Sequence, residues 1–502
     1  MALATRGVPP PVFLFRPTHQ ELHGSEQPTR TANWLTFIAV GQHRALLAAD
    51  SHGWISLWSL HSNRIQSLWH PHPHTQQNGG CLWAIPLLAE AEAERDQLFV
   101  ISQGRDHRLV LSHLLNYTTT CTISTITRAN LRPTISAPSN NITTVAHAPI
   151  NAINFCKASS LDLPTRSNLP HIHSIVALPS LVSEELVDIF AVRLVEPPNI
   201  FRIYKGLGNE RRTETDAVPT GSVVAVQLFS PSGRPGLVLL MIGYESGEVR
   251  VLQNERLTTR GHDSPRRGCG EDYEECMDSA DWARVGHFKG HTEPILSLTM
   301  AIDPRDPLAA IGWSVGADRN IVRYHVSSTL LRPSPTSSST EEEPASSSHR
   351  CSSRDEKYET AMESMVFETN QCGRFDVKVR ADGKLLGVYT WGGKLWLFDP
   401  TPIVEADPAE VQPPPPGPDT RMARRFSLRP LALLKLPTEP DRRSGVLAFA
   451  PFPLPHSDPA TSTSSPPLPL DSLAGLALLV ASGTAGQITA WEVFPPPPSP
   501  QS

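Results

Sequence analysis

One local pattern recurs seven times along the 502 residues of this chain: a tight turn of small residues leads into a strand-like run. The clearest copy is LLAADSHGWISLW, in which a turn at His52-Gly53 precedes Trp54 to Trp58. In every copy, an anchor residue stands six positions after the turn residue. The seven anchors are Trp58, Ser112, Phe190, Leu252, Tyr324, Phe398 and Trp491. Such repetition is typical of small sheets arranged radially around an axis.

Each copy is preceded by a short, β-branched apolar run, which is how a strand reads in sequence. These runs lie at 33–40, 81–88, 150–156, 222–229, 294–300, 374–379 and 445–449. A further run follows most anchors, as in RIQSLW at 64–69. Upstream strand, hairpin and outer strand together give four strands per blade. The sequence therefore predicts an all-β fold, a seven-bladed WD40-type β-propeller.

The chain is long for seven such repeats, which need about 300 residues at about 40–45 each. The surplus falls in low-complexity stretches that cannot offset an ordering entropy of about 1–2 kcal/mol per residue. We expect long disordered insertions at 254–281, 327–364, 400–430 and 451–472, and a Pro-rich tail at 495–502. Residues 116–145 are similarly rich in Thr, Ser and Asn.

The two ends of the chain complement each other. After Trp491 the sequence reads EVFPPPPSPQS, and proline cannot donate to a sheet ladder, so the last blade lacks its outer strand. The run VFLFR at 12–16 has no hairpin partner of its own. We expect strand 12–16 to complete the last blade, so that residues 1–494 form a single closed domain.

Composition narrows the function classes. The chain has 44 basic and 50 acidic residues, without the basic surplus of a direct nucleic-acid binder. Its seven cysteines are scattered without a CxxC pair, which favours reduced thiols inside the cell. No apolar run resembles a signal peptide or approaches the about 20 residues of a membrane span. We expect a soluble protein without direct nucleic-acid or membrane partners.

Ten segments in order carry a family resemblance: 46–60, 100–114, 150–156, 184–190, 223–229, 242–251, 293–300, 316–326, 375–399 and 478–493. With these, the chain resembles WD-repeat propellers and, among them, the fungal ASTRA-associated protein 1 family. The resemblance implies a non-catalytic scaffold subunit of the ASTRA complex, linked to chromatin remodelling and to the maturation of phosphatidylinositol-3-kinase-related kinases. It implies RuvB-like ATPases, a kinase-related pseudokinase and Tel-type cochaperone proteins as partners, and the nucleus as location, with the cytoplasm as a second site.

The chain departs from the WD pattern in many copies. Its Gly-His signature is intact only at Gly290-His291, and His291 precedes Asp318 by 27 residues, which fits a His–Asp tie within one blade. Elsewhere the signature is incomplete, and we expect several blades to rest on packing alone. Asp106 and Asp318 stand at equivalent turn positions, where we expect them to accept hydrogen bonds from nearby backbone or His. The predicted structural anchors are Trp58, Asp106, Phe190, His291, Asp318, Tyr324, Phe398, Asp399 and Trp491.

Several patterns suggest chemistry and have a structural alternative. Gly312-Trp-Ser314-Val-Gly316 matches a nucleophile elbow, but that chemistry needs a helix where Asp318 to His325 reads as a strand; Ser246 lies in an equivalent turn. The histidines at 70, 72 and 74 are spaced for a metal site, yet proline between them favours a solvated loop. Cys269 and Cys276 lack a second pair. We predict no catalytic, cofactor-binding or metal-binding residue.

Two further features concern partners. Arg421, Arg424, Arg425 and Arg429 surround Ser427, and they suit an import signal, a kinase site or a solvated patch. Trp54 and Trp396 would face away from their neighbours on alternating strands and are candidates for exposed partner anchors. Two alternatives to the ASTRA scaffold stay open: a WD-repeat adaptor of another assembly, such as a ubiquitin-ligase substrate receptor, and a propeller hydrolase.

Overall fold

The structure is a computed structural model. It describes residues 13–15, 31–40, 43–60, 64–73, 80–89, 97–115, 142–152, 154–163, 171–195, 197–208, 220–231, 236–254, 257, 281–327, 362–370, 373–380, 382–404, 426–435, 445–449, 478–483 and 488–492. Strands account for the regular structure in these ranges, and they form seven four-stranded antiparallel sheets.

The sheets follow one another along the chain. Strand β1 is Phe13–Phe15. Sheet I contains β2 (Ala32–Val40), β3 (His43–Asp50), β4 (Ile55–Ser59) and β5 (Arg64–Trp69); sheet II contains β6 (Cys81–Ala89), β7 (Gln97–Gly104), β8 (Arg108–Leu114) and β9 (Ile142–Pro149); sheet III contains β10 (Ser159–Asp162), β11 (Ser174–Pro179), β12 (Val187–Arg193) and β13 (Asn199–Leu207); sheet IV contains β14 (Val223–Phe229), β15 (Val238–Tyr244), β16 (Glu248–Asn254) and β17 (Ala283–Lys289). Sheet V contains β18 (Ile295–Asp303), β19 (Asp306–Gly316), β20 (Asn320–Val326) and β21 (Met362–Glu368); sheet VI contains β22 (Arg374–Val379), β23 (Leu386–Thr390), β24 (Lys394–Val404) and β25 (Phe426–Lys435); sheet VII contains β26 (Gly445–Phe449), β27 (Leu478–Gly483), β28 (Ile488–Glu492) and β1.

Each pair of neighbouring sheets shares one hydrophobic core. Between sheets V and VI, for example, Trp313 and Phe367 pack with Val377 and Val388. The same arrangement runs from sheet I to sheet VII, and a core containing Leu35, Val446 and Ile488 then joins sheet VII back to sheet I. Burial of apolar area at every junction, rather than in one central core, is how a radial array is held together. The chain is therefore an all-β propeller, as predicted.

The N-terminal strand lies at the outer edge of sheet VII, where the sequence predicts a closing strand. There β1 pairs antiparallel with β28, with Phe13 opposite Ala490, Leu14 opposite Thr489 and Phe15 opposite Ile488. Sheet VII thus contains the first and last strands of the described chain. Without β1, the outer side of β28 would present unpaired N–H and C=O groups.

One predicted strand and the limits of two predicted insertions are wrong. The run 150–156 is not a strand: the first strand of sheet III begins at Ser159, and the residues before it form an irregular segment. The insertion predicted at 327–364 ends earlier, because β21 starts at Met362. The insertion predicted at 400–430 is shorter at both ends, since β24 extends to Val404 and β25 starts at Phe426. Most residues of the predicted insertions, and the tail 495–502, lie outside the described residues.

Candidate functional site

One end of the sheets carries the turns between their second and third strands, and it is called the hairpin-turn face below. The described residues of the connections from sheet I to sheet II and from sheet IV to sheet V also lie at this end, where they pack on the hairpin turns. In sheet I, Gly53 has φ +87°, and a Cβ there would overlap the carbonyl oxygen of His72. In sheet IV, Gly247 has φ +83°, and a Cβ there would overlap the carbonyl oxygen of His291. Glycine is required at both turns because the following connection passes directly over them.

A buried hydrogen-bond network holds such a connection to sheet V. His291 Nδ1 lies 2.9 Å from Asp318 Oδ1, and His291 Nε2 lies 2.7 Å from Ser314 Oγ, which lies 2.8 Å from the Tyr324 hydroxyl. Burial opposes ionisation of Asp318, but hydrogen bonds from His291 and from the amides of Asn320 and Thr292 outweigh it and lower the pKa of this carboxyl. The predicted tie between His291 and Asp318 is confirmed.

Sheet II contains a second network that the sequence analysis missed. His72 Nδ1 lies 2.9 Å from Asp106 Oδ1, and His72 Nε2 lies 2.9 Å from Ser102 Oγ. His72 is fully buried, so its interpretation as a solvated-loop histidine is wrong. Asp106 stands at a turn position where the sequence predicts an acceptor for backbone or His, but His72 was not identified as its partner. A shared signal marks both networks: Ser102 and Ser314 each stand four residues before the aspartate. His70, two residues before His72, stacks on Trp54 with ring centroids 4.4 Å apart.

Each network has the connectivity of a Ser-His-Asp catalytic triad, so access decides its chemistry. Ser314 and Ser102 are both 0% exposed. Ser314 lies within strand β19 and shares its hydroxyl with Tyr324, and no strand–turn–helix elbow surrounds it. A nucleophile must reach its substrate, and these hydroxyl groups do not reach solvent. We therefore interpret both networks as structural ties between a connection and a hairpin.

The remaining predicted anchors are structural in placement. Trp58, Phe190, Phe398 and Trp491 are buried in the cores between sheets. Asp399 accepts a hydrogen bond from the amide of Thr401 at 2.9 Å, within the irregular pairing of β24 with β25. Ser112 occupies the position on β8 that Tyr324 occupies on β20, but its buried hydroxyl has no hydrogen-bond partner. Sheet II thus has three of the four members of the sheet V network.

Asp376, on the first strand of sheet VI, contacts the first strands of sheets V and VII. Its carboxylate accepts a hydrogen bond from Ser297 Oγ of sheet V at 2.8 Å and from the amide of Leu447 in sheet VII at 3.1 Å. Next to it, buried Arg374 donates to the carbonyl groups of the sheet V hairpin turn, at residues 318, 319 and 320. These polar contacts fix sheet VI against both of its neighbours, and the sequence analysis did not find them.

Around the axis, two lysine side chains lie against the ring system of Trp34 on β2: Lys157, just before β10, and Lys378, on β22. Lys157 Nζ lies 5.6 Å and Lys378 Nζ 5.0 Å from the centroid of its ring system, and Lys378 Nζ lies 3.9 Å from Asp376 Oδ1. Burial lowers the pKa of Lys157; Asp376 opposes this shift and Lys378 adds to it. Two ammonium groups against one carboxylate leave this axial cluster with a net positive charge.

The other predicted sites fall partly outside the described residues. Those outside are Cys269, Cys276, His74, Arg421, Arg424 and Arg425. Ser427 and Arg429 are on strand β25 rather than in a linker. Trp54 and Trp396 are half-buried, each stacked on another ring, so neither is a freely exposed anchor. In the described ranges, no group of three His, Cys, Asp or Glu side chains is arranged to hold a metal ion, and no helix has the length and apolar character to span a bilayer.

Comparison with known proteins connects this fold to a set of fungal proteins. The chain is similar to ASTRA-associated protein 1 of Aspergillus niger, with 23% identity over 381 residues covering 71% of each chain. It is 24% identical over 375 residues to the protein of the same name from Penicillium rubens, again covering 71% of each. The Schizosaccharomyces pombe protein is 24% identical over 374 residues, 72% of this chain and 82% of that one. These matches confirm the resemblance first apparent in the ordered segments. No family model matches the chain.

Two solved structures are similar in outline. The β-propeller domain of Cps50 (Swd1) from Myceliophteria thermophila aligns with a TM-score of 0.43 and 13% identity, covering 94% of this chain and 99% of that one. Raptor from Chaetomium thermophilum aligns with a TM-score of 0.47 and 10% identity, covering 92% of this chain and 28% of that one.

Proposed function

We propose that this chain is a non-catalytic scaffold subunit of an ASTRA complex, built as seven blades of one closed ring. The similarity to ASTRA-associated protein 1 from several fungi, spread over about seven-tenths of the chain, carries the proposal. The seven sheets and their shared cores support a rigid ring whose loops differ in sequence and can bind different partners. The serine hydroxyl groups of both Ser-His-Asp networks are closed to solvent, which favours recognition over catalysis.

The role within the assembly follows from the resemblance. We propose that the ring holds RuvB-like ATPases, a kinase-related pseudokinase and Tel-type cochaperone proteins in one complex, in support of chromatin remodelling and kinase maturation. Its location would be the nucleus, with entry through the other subunits or through the arginines at 421–429. A fluorescent reporter fused to residues 415–432 separates these routes, because only a direct import signal carries the isolated segment into the nucleus.

Affinity purification of the full-length tagged chain from nuclear extract, followed by mass spectrometry, tests the proposal. We expect RuvB-like ATPases and a very large kinase-related protein, in amounts comparable to the bait. The tag alone is the background control. A purification rich in other partners but without those two classes would contradict the assignment.

The axial cluster favours one alternative, a WD-repeat adaptor of another assembly. The net positive charge around Trp34, Lys157 and Lys378 would suit an acidic segment entering the ring axis. An adaptor of the ubiquitin-ligase type would recover cullin-type ligase subunits in the same purification. The two functions are therefore separated by one experiment.

A further inference from the structure

Three large apolar side chains are exposed on the hairpin-turn face where sheets II and III meet. Phe155 is 59% exposed, Leu181 46% and Val182 64%. Phe155 lies in the irregular segment before β10, and the other two lie in the turn between β11 and β12. Opposite residues Ser159 and Ala177 pair near the start of β10 and the end of β11, so both loops leave sheet III at the same end. Clustered exposed apolar groups mark interaction sites more often than single ones do.

Hydrogen bonds hold these loops in a fixed arrangement. Asn151 Nδ2 donates to the carbonyl oxygen of Ser180 at 3.0 Å, which ties the segment before β10 to the β11–β12 turn. The amide of Ile150 donates to the carbonyl oxygen of His107 at 3.0 Å, which ties the same segment to the hairpin turn of sheet II. Inside the β11–β12 turn, the amide of Val182 donates to Ser180 Oγ at 3.1 Å. The exposed side chains therefore stand on an ordered support, and partner binding would need little loop ordering.

Two residues in these loops have a left-handed backbone. Phe155 has φ 55° and His107 has φ 61°, and positive φ values are unfavourable for side chains of this size. Such conformations persist where surrounding contacts enforce them, and they cluster at functional positions. At Phe155 this conformation accompanies an aromatic side chain that is 59% exposed, so most of its apolar surface remains uncovered in the isolated chain.

The charge next to Phe155 is positive. The Arg105 guanidinium carbon lies 4.1 Å from the centroid of the Phe155 ring. Within the described part of the chain Arg105 forms no ion pair, because the adjacent carboxylate of Asp106 is bonded to His72. Arg108 is exposed in the same hairpin. On the far side of the β11–β12 turn, Glu184 accepts a hydrogen bond from Ser222 Oγ. A carboxylate from another protein would therefore find its partner at the Arg105 side.

We propose that Phe155, Leu181, Val182 and Arg105 form a docking surface for a partner-protein segment that combines apolar side chains with an acidic residue. The apolar side chains would cover Phe155, Leu181 and Val182, and the carboxylate would pair with Arg105. Aromatic and arginine side chains together are typical of the residues that dominate binding energy at interfaces. This inference deepens the proposed scaffold function, on which it rests, by naming the surface and the chemistry of one partner.

Site-specific photo-crosslinking in the full-length chain tests the surface directly. Val182→benzoylphenylalanine is irradiated in nuclear extract, and the crosslinked peptide is sequenced by mass spectrometry. Leu308→benzoylphenylalanine is the matched control, since Leu308 is 39% exposed near the start of β19, at the opposite end of its sheet. We expect Val182, but not Leu308, to crosslink to one segment containing apolar residues and Asp or Glu. No crosslink, or one to a basic or wholly polar segment, overturns the proposal.

Substitutions then measure the contribution of each group, using a synthetic peptide of the crosslinked segment. Phe155→Asn removes the ring but tolerates the left-handed backbone, and Arg105→Glu reverses the charge. We expect each to weaken binding at least tenfold, with melting temperatures unchanged. Arg319→Glu, an exposed arginine in the sheet V hairpin turn, should leave binding unchanged. Equal affinity in all three variants contradicts the proposal.

The outcomes separate this inference from the proposed function. A chain that recovers ASTRA subunits but gives no crosslink at Val182 keeps its function and loses this surface. A crosslink to an acidic and apolar segment of some other protein keeps the surface and contradicts the ASTRA assignment.

Discussion

His72 Nδ1 lies 2.9 Å from Asp106 Oδ1, although 34 residues separate the two in sequence. The contact repeats that of His291 with Asp318 in geometry, burial and the serine on the other ring nitrogen. In both cases a connection between sheets is fastened to the hairpin turn of the next sheet. The two ties are therefore equivalent devices at different places in the ring.

Replacement of either histidine should destabilise the fold. In His291→Ala and His72→Ala, a buried serine hydroxyl and a carboxylate, buried at Asp318 and half-buried at Asp106, lose their partner, which costs about 2–4 kcal/mol of unfolding free energy. Chemical denaturation measures the loss. His147→Ala is the control, since His147 is exposed on β9 and should change stability by less than about 0.5 kcal/mol. Equal stability of all three variants would show that the ties contribute nothing.

Removal of the Ser112 hydroxyl should stabilise the fold. Ser112 Oγ is buried without a partner, so Ser112→Ala removes an unsatisfied group and should raise unfolding free energy by about 1 kcal/mol. Ser314→Ala should act in the opposite direction, because Ser314 Oγ contacts both His291 and Tyr324. Thermal unfolding of both variants checks the difference in sign. A loss of stability in Ser112→Ala would indicate an unrecognised role for that hydroxyl.

Asp376 should contribute more to stability than an aspartate with a single local partner. Asp376→Ala leaves Ser297 Oγ and the amide of Leu447 without their acceptor at two sheet junctions, at a cost of about 3 kcal/mol. Asp399→Ala is the comparison, since the carboxylate of Asp399 accepts from the single exposed amide of Thr401 on the same strand, and its loss should cost less than about 1 kcal/mol. Denaturant unfolding measures both. Similar losses for the two would mean that Asp376 does not couple the sheets.

Stability should fall in acid partly through Asp318. The pKa of this carboxyl is below its usual 3.8 in the folded chain, so it stabilises the fold above that value and this contribution is lost as pH falls through the folded pKa. Asp318→Asn cannot titrate and should be less stable than the wild type at pH 6. Unfolding curves from pH 6 to pH 3 should show the two stabilities converging. A constant difference across this range would exclude the linkage.

The closing strand should stabilise the whole ring. Deletion of residues 1–20 removes β1 and leaves β28 without its outer partner, so we expect a sharply lower melting temperature. A synthetic peptide of residues 8–20, added in excess, should restore part of the loss by pairing with β28. Deletion of 495–502 is the control for an end effect. An unchanged melting temperature in the first deletion would contradict the closing role of β1.

The sequence predicted the fold class because hairpin patterns are local. A turn such as His52-Gly53, an alternating strand and an anchor such as Trp58 all lie within about 13 residues, so their spacing survives any insertion elsewhere. The closing strand was predictable for the same reason, because proline after Trp491 excludes an outer strand locally. The start of sheet III was not predictable in this way, since the apolar run at 150–156 has the composition of a strand although the first strand of sheet III begins at Ser159.

Contacts across long separations were harder to predict. The tie of His72 to Asp106 spans 34 residues, whereas that of His291 to Asp318 spans 27. The prolines on both sides of His72 suggest a solvent-exposed loop, although its side chain is buried. The contacts of Asp376 join residues 79 and 71 positions away, and no local pattern marks them. The exposed group around Phe155 depends on which apolar residues remain uncovered, a property of the assembled sheets rather than of the sequence pattern.

The pairing of β1 with β28 sets an order of events during synthesis. Residues 13–15 leave the ribosome long before their partners at 488–490 are made. At about 5–20 residues per second, the early strand waits about half a minute to a minute and a half for its partner. During that interval the nascent ring is open, so a chaperone that shields the waiting strand would raise the yield of finished protein. A chain released from a ribosome that stalls before residue 488 lacks β28, so β1 has no strand to pair with and the ring stays open.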